Sequence, residues 1–113
     1  MEKSLKLEEL PFQYSGKTYM LRCNMSVLAD VQQMNGGKIS EAIDGKSGFW
    51  TILQFLSAMM NDYADLMGWP ERFTPRSLGR TLKYEDLPSD EIADLFISAF
   101  FVPDDGEGER AGN

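Results

Sequence analysis

Proton transfer near neutral pH usually runs through histidine, and nucleophilic attack through a serine or cysteine that a neighbouring base activates. The chain has no histidine and a single cysteine, Cys23. No imidazole is available to draw off the thiol proton, so those routes are closed. A carboxylate pair is the next candidate, since two acids can divide the work of general acid and nucleophile in glycoside hydrolysis. Asp62 and Asp65 stand one helical turn apart, but they belong to the polar strip of an amphipathic run and read as a solvated face. The string Gly45-Lys46-Ser47 has the ending of a phosphate-binding loop. That loop needs a glycine five residues before Gly45, and Ser40 is there, so these residues read as a helix-to-helix connection. The run Asp104 to Glu109 lacks the spacing of a calcium loop and its closing glutamate. The expectation is a protein that is not an enzyme and that uses no metal and no cofactor.

What remains is recognition, and the elements that would carry it can be read from periodicity. Phe12-Gln13-Tyr14 and Thr18 to Arg22 are β-prone runs around Ser15-Gly16-Lys17, which predicts a hairpin with Tyr19, Leu21 and Cys23 on one face. Pro11 is expected to end whatever precedes it, because proline neither donates to a ladder nor continues a helix. Asn24, with Ser26 as the competitor, caps a helix whose apolar positions are Val27, Leu28, Val31 and Met34, and Gly36-Gly37 ends it. A further turn is expected over residues 39–43.

Phe49 to Gly68 forms the central helix. Leu53, Leu56, Met60, Tyr63 and Met67 make one stripe, and Phe49, Ile52, Phe55, Met59 and Leu66 widen it. The polar strip that remains is narrow: Thr51, Gln54, Asn61, Asp62 and Asp65. So broad a stripe must be covered on several sides, by its own domain or by another chain. Thr74-Pro75 restarts a helix bearing Arg76 and Arg80, with Lys83 on the same face, a basic stripe that reads either as solvated surface or as a dock for the acidic C-terminal third. Ser89 caps a last helix with Asp90 and Glu91 in its first turn and Ile92, Leu95, Phe96, Ala99 and Phe100 on its buried face. The expected architecture is mainly α (α+β): a short N-terminal β-hairpin followed by a bundle of about four helices. Residues 1–11 form an arm, 12–102 a single domain and 103–113 a flexible acidic tail.

Charge narrows the partners. The net charge is −7; residues 1–84 hold 10 Lys/Arg against 9 Asp/Glu, while residues 85–113 hold 1 against 9. Phosphate backbones and anionic lipid repel such a C-terminal third, so neither nucleic acid nor membrane is an expected partner. The unpaired cysteine and the lack of a leader-like N-terminus point to the cytoplasm. No apolar run reaches the ~20 residues of a spanning helix. Seven methionines supply adaptable apolar surface, and Met59, Met60 and Met67 lie on the central helix.

Taken in order, "YSGKTYMLR", the capped "NMSVLADVQ", a glycine break, a strongly apolar helix and the closing "LPSDEIADL" resemble the tail assembly chaperones of long-tailed bacteriophages and prophages, over residues 12–102. The resemblance implies a cytoplasmic host-cell protein that binds the apolar tape measure protein, keeps it soluble, promotes tail tube assembly around it and leaves before the virion matures. The family also implies a longer frameshifted form, whose extension would join at the tail from Asp104. Tail tube protein and a second copy of the chain are further partners. The family has no short binding motif to carry over, so the residues expected to meet the partner follow from the apolar pattern: Phe49, Trp50, Leu53, Leu56, Met59, Met60 and Tyr63, divided between core and surface. Two rivals belong to other classes. One is an acidic inhibitor of a DNA-binding enzyme, with the cluster Glu85 to Glu109 mimicking phosphates; the other is a structural tail or connector subunit.

Overall fold

The computed structural model describes residues 8–40 and 48–100. The expected acidic tail, residues 41–43 of the expected extra turn and the Gly45-Lys46-Ser47 string lie outside the described residues, as does most of the N-terminal arm. The chain is mainly α with a small β part: among the described residues, an antiparallel hairpin is followed by four α-helices.

Strands β1 (Leu10–Tyr14) and β2 (Lys17–Leu21) pair Phe12 with Tyr19 and Tyr14 with Lys17. Ser15 and Gly16 form the two-residue turn at φ 53° and 80°, the pair of positive values that matches the twist of a hairpin. Pro11 does not end the preceding segment but sits inside β1, opposite Met20. In an antiparallel ladder, bonded and non-bonded pairs alternate outward from the turn, so the Pro11 nitrogen points away from β2 and no ladder bond is lost. Tyr19, Leu21 and Cys23 are buried on one face, as the alternation predicts, while Thr18 is exposed.

Asn24 is the cap of α1 (Met25–Met34), its Oδ1 accepting from Val27 N at 3.0 Å. Gly37 N closes the helix on Gln32 O at 2.8 Å, with Gly36 and Gly37 at positive φ. Helix α2 (Phe49–Met67) is the strut of the fold, packed by β2, α1, α3 (Pro75–Thr81) and α4 (Ser89–Phe100). Its own domain therefore covers most of the broad apolar surface. Two members of the expected polar strip, Thr51 and Gln54, are buried rather than solvated. Gln54 is accommodated because its Oε1 accepts from Asn35 Nδ2 at 3.0 Å, tying α2 to the end of α1. Ser57 turns its hydroxyl back to Gln54 O at 3.1 Å.

Thr74 and Ser77 form a reciprocal capping box at the start of α3, with Pro75 in its first turn. A 3-10 turn, Tyr84–Asp86, leads into α4. Ser89 is not the cap expected from the sequence. It is the first helical residue, Pro88 O accepts the first helical bond from Ile92 N at 2.9 Å, and the Ser89 hydroxyl faces Leu87 O at 3.5 Å. Pro88 thus occupies the cap position, and serine falls one position inward. Phe96 stacks on Phe55, with ring centroids 4.3 Å apart, to join α4 to α2.

Candidate functional site: an apolar groove at the start of the central helix

The residues expected to meet a partner are separated by the fold. Leu53, Leu56, Met59 and Met60 are buried in the core between α2 and its neighbours. Tyr63 is half-buried in an aromatic cluster, edge-on to Trp69 and Tyr19, at the opposite end of α2. Phe49 and Trp50 stay at the surface, 58% and 42% exposed. Of the seven, Phe49 and Trp50 are the ones a protein partner can meet most fully, with Tyr63 partly accessible.

Three local structures build a site around them. Gly48, at φ 56°, turns the chain into α2 and leaves Phe49 and Trp50 in its first turn. The capped helix α3 crosses beside that turn, with the Arg76 guanidinium over the Trp50 ring at 5.4 Å. Gly79 lets α3 approach closely, since a Cβ there would meet Leu53 Cδ1 at 3.3 Å. The 3-10 turn follows, held by Lys83 N donating to Asp86 Oδ2 at 3.2 Å, and it presents Tyr84 edge-on to Phe49 at 5.8 Å. Tyr84 is 78% exposed.

Between these elements lies a groove of about 230 Å³ walled by Phe49, Leu53, Leu82, Tyr84 and Leu87, with Gly79 in its floor and Lys83 on its rim. That is below the ~300–1,000 Å³ of small-molecule pockets and suits an inserted apolar side chain instead. Lys83 lines the groove, Arg76 and Arg80 are exposed on α3, and none of the three forms an ion pair among the described residues. Beyond Tyr84 and Leu87 opens an acidic concavity of about 420 Å³ formed by Glu85, Asp86, Asp90 and Glu91.

The candidate reactive groups are occupied structurally. Cys23 is buried, and burial pushes its thiol up to about 12, so it stays protonated and unreactive near neutral pH. Asp62 accepts from Asn24 Nδ2 at 2.8 Å, and Asp65 meets Arg72 at 3.1 Å on the exposed side, so the two acids serve different contacts. No group of three or more acidic or cysteine side chains among the described residues is placed to hold a metal ion. No helix among them is long and apolar enough to cross a membrane.

Tyr84, Leu82, Leu87 and Gly79 were not among the residues expected at the site. They lie in or beside a short irregular stretch where no helical period marks a face. The stretch ahead of Pro88 scatters Leu82, Tyr84 and Leu87 among Lys83, Glu85 and Asp86, which gives no sequence signal of a shared face. Against protein-family models, curated proteins and solved structures alike, the chain shows no match.

Proposed function

We propose that the protein is a binding protein of the tail assembly chaperone kind, which holds the apolar tape measure protein of a long-tailed bacteriophage or prophage in solution and promotes tail tube assembly around it. The observation that carries this reading is the groove at the start of α2, beside which Phe49, Trp50 and Tyr84 expose aromatic surface; Met25, Met34, Leu66, Met67 and Ile97 are exposed elsewhere on the domain. Exposed aromatic clusters with a polar rim are the usual mark of a protein-binding surface. The order of elements, hairpin then four helices, agrees with the order of motifs on which the resemblance rests. In this reading the protein works in the host cytoplasm and is absent from finished particles.

The test is co-expression with the long, helix-rich protein encoded just downstream. The wild-type chain is expected to move that protein from the pellet to the soluble fraction as a complex. A Phe49→Ala/Trp50→Ala double variant, folded by circular dichroism, is expected to lose it. An insoluble partner with wild-type protein present, or recovery of this chain in purified virions, refutes the reading. The exposed acids Glu85, Asp86, Asp90 and Glu91 serve the rival reading of an inhibitor that mimics phosphates. That complex would dissociate steeply with salt, whereas one anchored in the groove survives it.

A further inference from the structure

Two hollows of different chemistry adjoin at the start of α2. The groove of about 230 Å³ has room for one large apolar side chain among Phe49, Leu53, Leu82 and Leu87. The concavity of about 420 Å³ gathers the carboxylates of Glu85, Asp86, Asp90 and Glu91. Tyr84 and Leu87 border both hollows, so a single layer of side chains separates them. All four acids are exposed, and none forms an ion pair among the described residues. The positive end of α4 favours Asp90 and Glu91 in its first turn, and Asp86 accepts from Lys83 N, so these three have local roles. Together with Glu85, which has none, they also make a negative hollow against an aromatic wall.

We propose that the segment this surface takes is an amphipathic helix carrying a large apolar side chain and, one turn away, a lysine or arginine: the first fills the groove and the second enters the acidic concavity. Side chains one turn apart on a helix stand ~5–6 Å from each other at Cβ, which suits two hollows divided by one layer of side chains. Lys83 lines the groove but not the concavity, so it repels a cation from the first and leaves the second as its place. The net charge of −7 draws a basic segment in from a distance. One or two exposed ion pairs add modestly to the apolar anchor, so the complex survives moderate salt. The inference rests on the proposed function in taking the groove as the client's site, and it names the chemistry of the client segment that binds there.

Fluorescence anisotropy tests this with two labelled helical peptides of about 20 residues, which share one leucine stripe and flank it with lysine in the first and glutamate in the second. The wild-type chain is expected to bind the lysine peptide at least about tenfold more tightly than the glutamate peptide. Glu85→Lys/Glu91→Lys is expected to reverse that order. Glu85→Lys alone, which lies outside α4, repeats the test with a smaller effect should the double variant fail to fold. Asp30→Lys, on α1 and lining neither hollow, alters the net charge as much as Glu85→Lys and is expected to leave binding within about twofold of wild type. Phe49→Ala takes away part of the groove wall and is expected to weaken the lysine peptide by at least about tenfold. A wild type that binds both peptides equally, favours glutamate or binds neither overturns the proposal. So does an Asp30→Lys loss that matches Glu85→Lys, or a Phe49→Ala variant that binds like wild type. Equal peptide binding beside a solubilised client would sink this inference and leave the proposed function standing; a lysine preference with the client left in the pellet would refute that function and keep the chemistry of the surface.

Discussion

Truncating two residues on the same helix separates core from binding surface. Leu56 is fully buried and Trp50 is 42% exposed, although both belong to the broad apolar surface of α2. Leu56→Ala removes three buried carbons, worth ~0.8 kcal/mol each in transfer, and leaves a cavity in the centre of the domain, for a total of about 3 kcal/mol. At roughly 3–6 °C per kcal/mol for a domain of this size, the midpoint of thermal unfolding falls by about 10–20 °C. Leu56→Asp adds the cost of a buried, unpaired carboxylate and is expected to abolish the fold. Trp50→Ala gives up only the shielded part of its ring and the contact with Arg76, about 1 kcal/mol or less. The assay is thermal unfolding followed by circular dichroism, beside co-purification of the partner. Leu56→Ala should lower the midpoint and, at low temperature, still bind; Trp50→Ala should lower the midpoint by no more than about 3–6 °C and lose binding. A Trp50 variant as unstable as the Leu56 variant, or a Leu56→Asp protein that folds, refutes the division drawn along α2.

Asn61 grips the loop between α2 and α3 by both ends of its amide, donating to Phe73 O at 2.9 Å and accepting from Phe73 N at 2.7 Å, so Asn61→Ala is expected to cost about 2–3 kcal/mol by denaturant titration. Gly79→Ala gains about 1 kcal/mol of helix propensity but presses on Leu53 Cδ1 at 3.3 Å, so stability should hold within that margin while partner affinity falls, a split that calorimetry with the purified partner reads. The raised Cys23 thiol makes the fold lose stability with alkali: unfolded chains ionise near the ordinary value of 9.0 and the native state only at about 12, so the contribution is intact below 9.0 and falls at about 1.4 kcal/mol per pH unit above it. Cys23→Ala should flatten the alkaline limb of a plot of stability against pH relative to wild type, and an unchanged slope would show that the thiol is not desolvated as the structure has it. Thr74→Ala opens the capping box of α3, with an expected loss of about 1 kcal/mol.

Local chemistry made several elements readable in advance. Asn24 caps α1 because a short amide at the end of an extended run can reach the free Val27 N–H, and Gly68 ends α2 at φ 75° because other residues resist that backbone. Tyr19 and Leu21 face inward because strand side chains alternate. What local chemistry lacks is knowledge of the neighbour. Helical period places Phe49, Leu53 and Leu56 on one side of α2, yet whether each is covered depends on where α3 and α4 cross. Gln54 looked solvent-facing because nothing near it in sequence announces Asn35, nineteen residues earlier, as its partner. Tyr84 acquires its place from Phe49, across the fold. Pro11 misled for the converse reason: its cost in a sheet depends on ladder phase, which only the pairing with Met20 reveals.

The exposed turn of α2 follows from length. A helix of 19 residues extends about 28 Å, whereas α3 has 7 residues and α4 12, and each crosses only part of it. Some of the strut must protrude, and polar residues there would cost the fold nothing. The protruding turn instead carries Phe49 and Trp50, and the adjoining 3-10 turn adds Tyr84, three aromatic side chains where stability asks for none. Arg76 lies over Trp50, and the acidic concavity of Glu85, Asp86, Asp90 and Glu91 adjoins the groove at Tyr84 and Leu87, so charge of both signs is near the exposed aromatics. In the proposed function a client segment would cover these aromatic side chains, and the charges beside them would set its register.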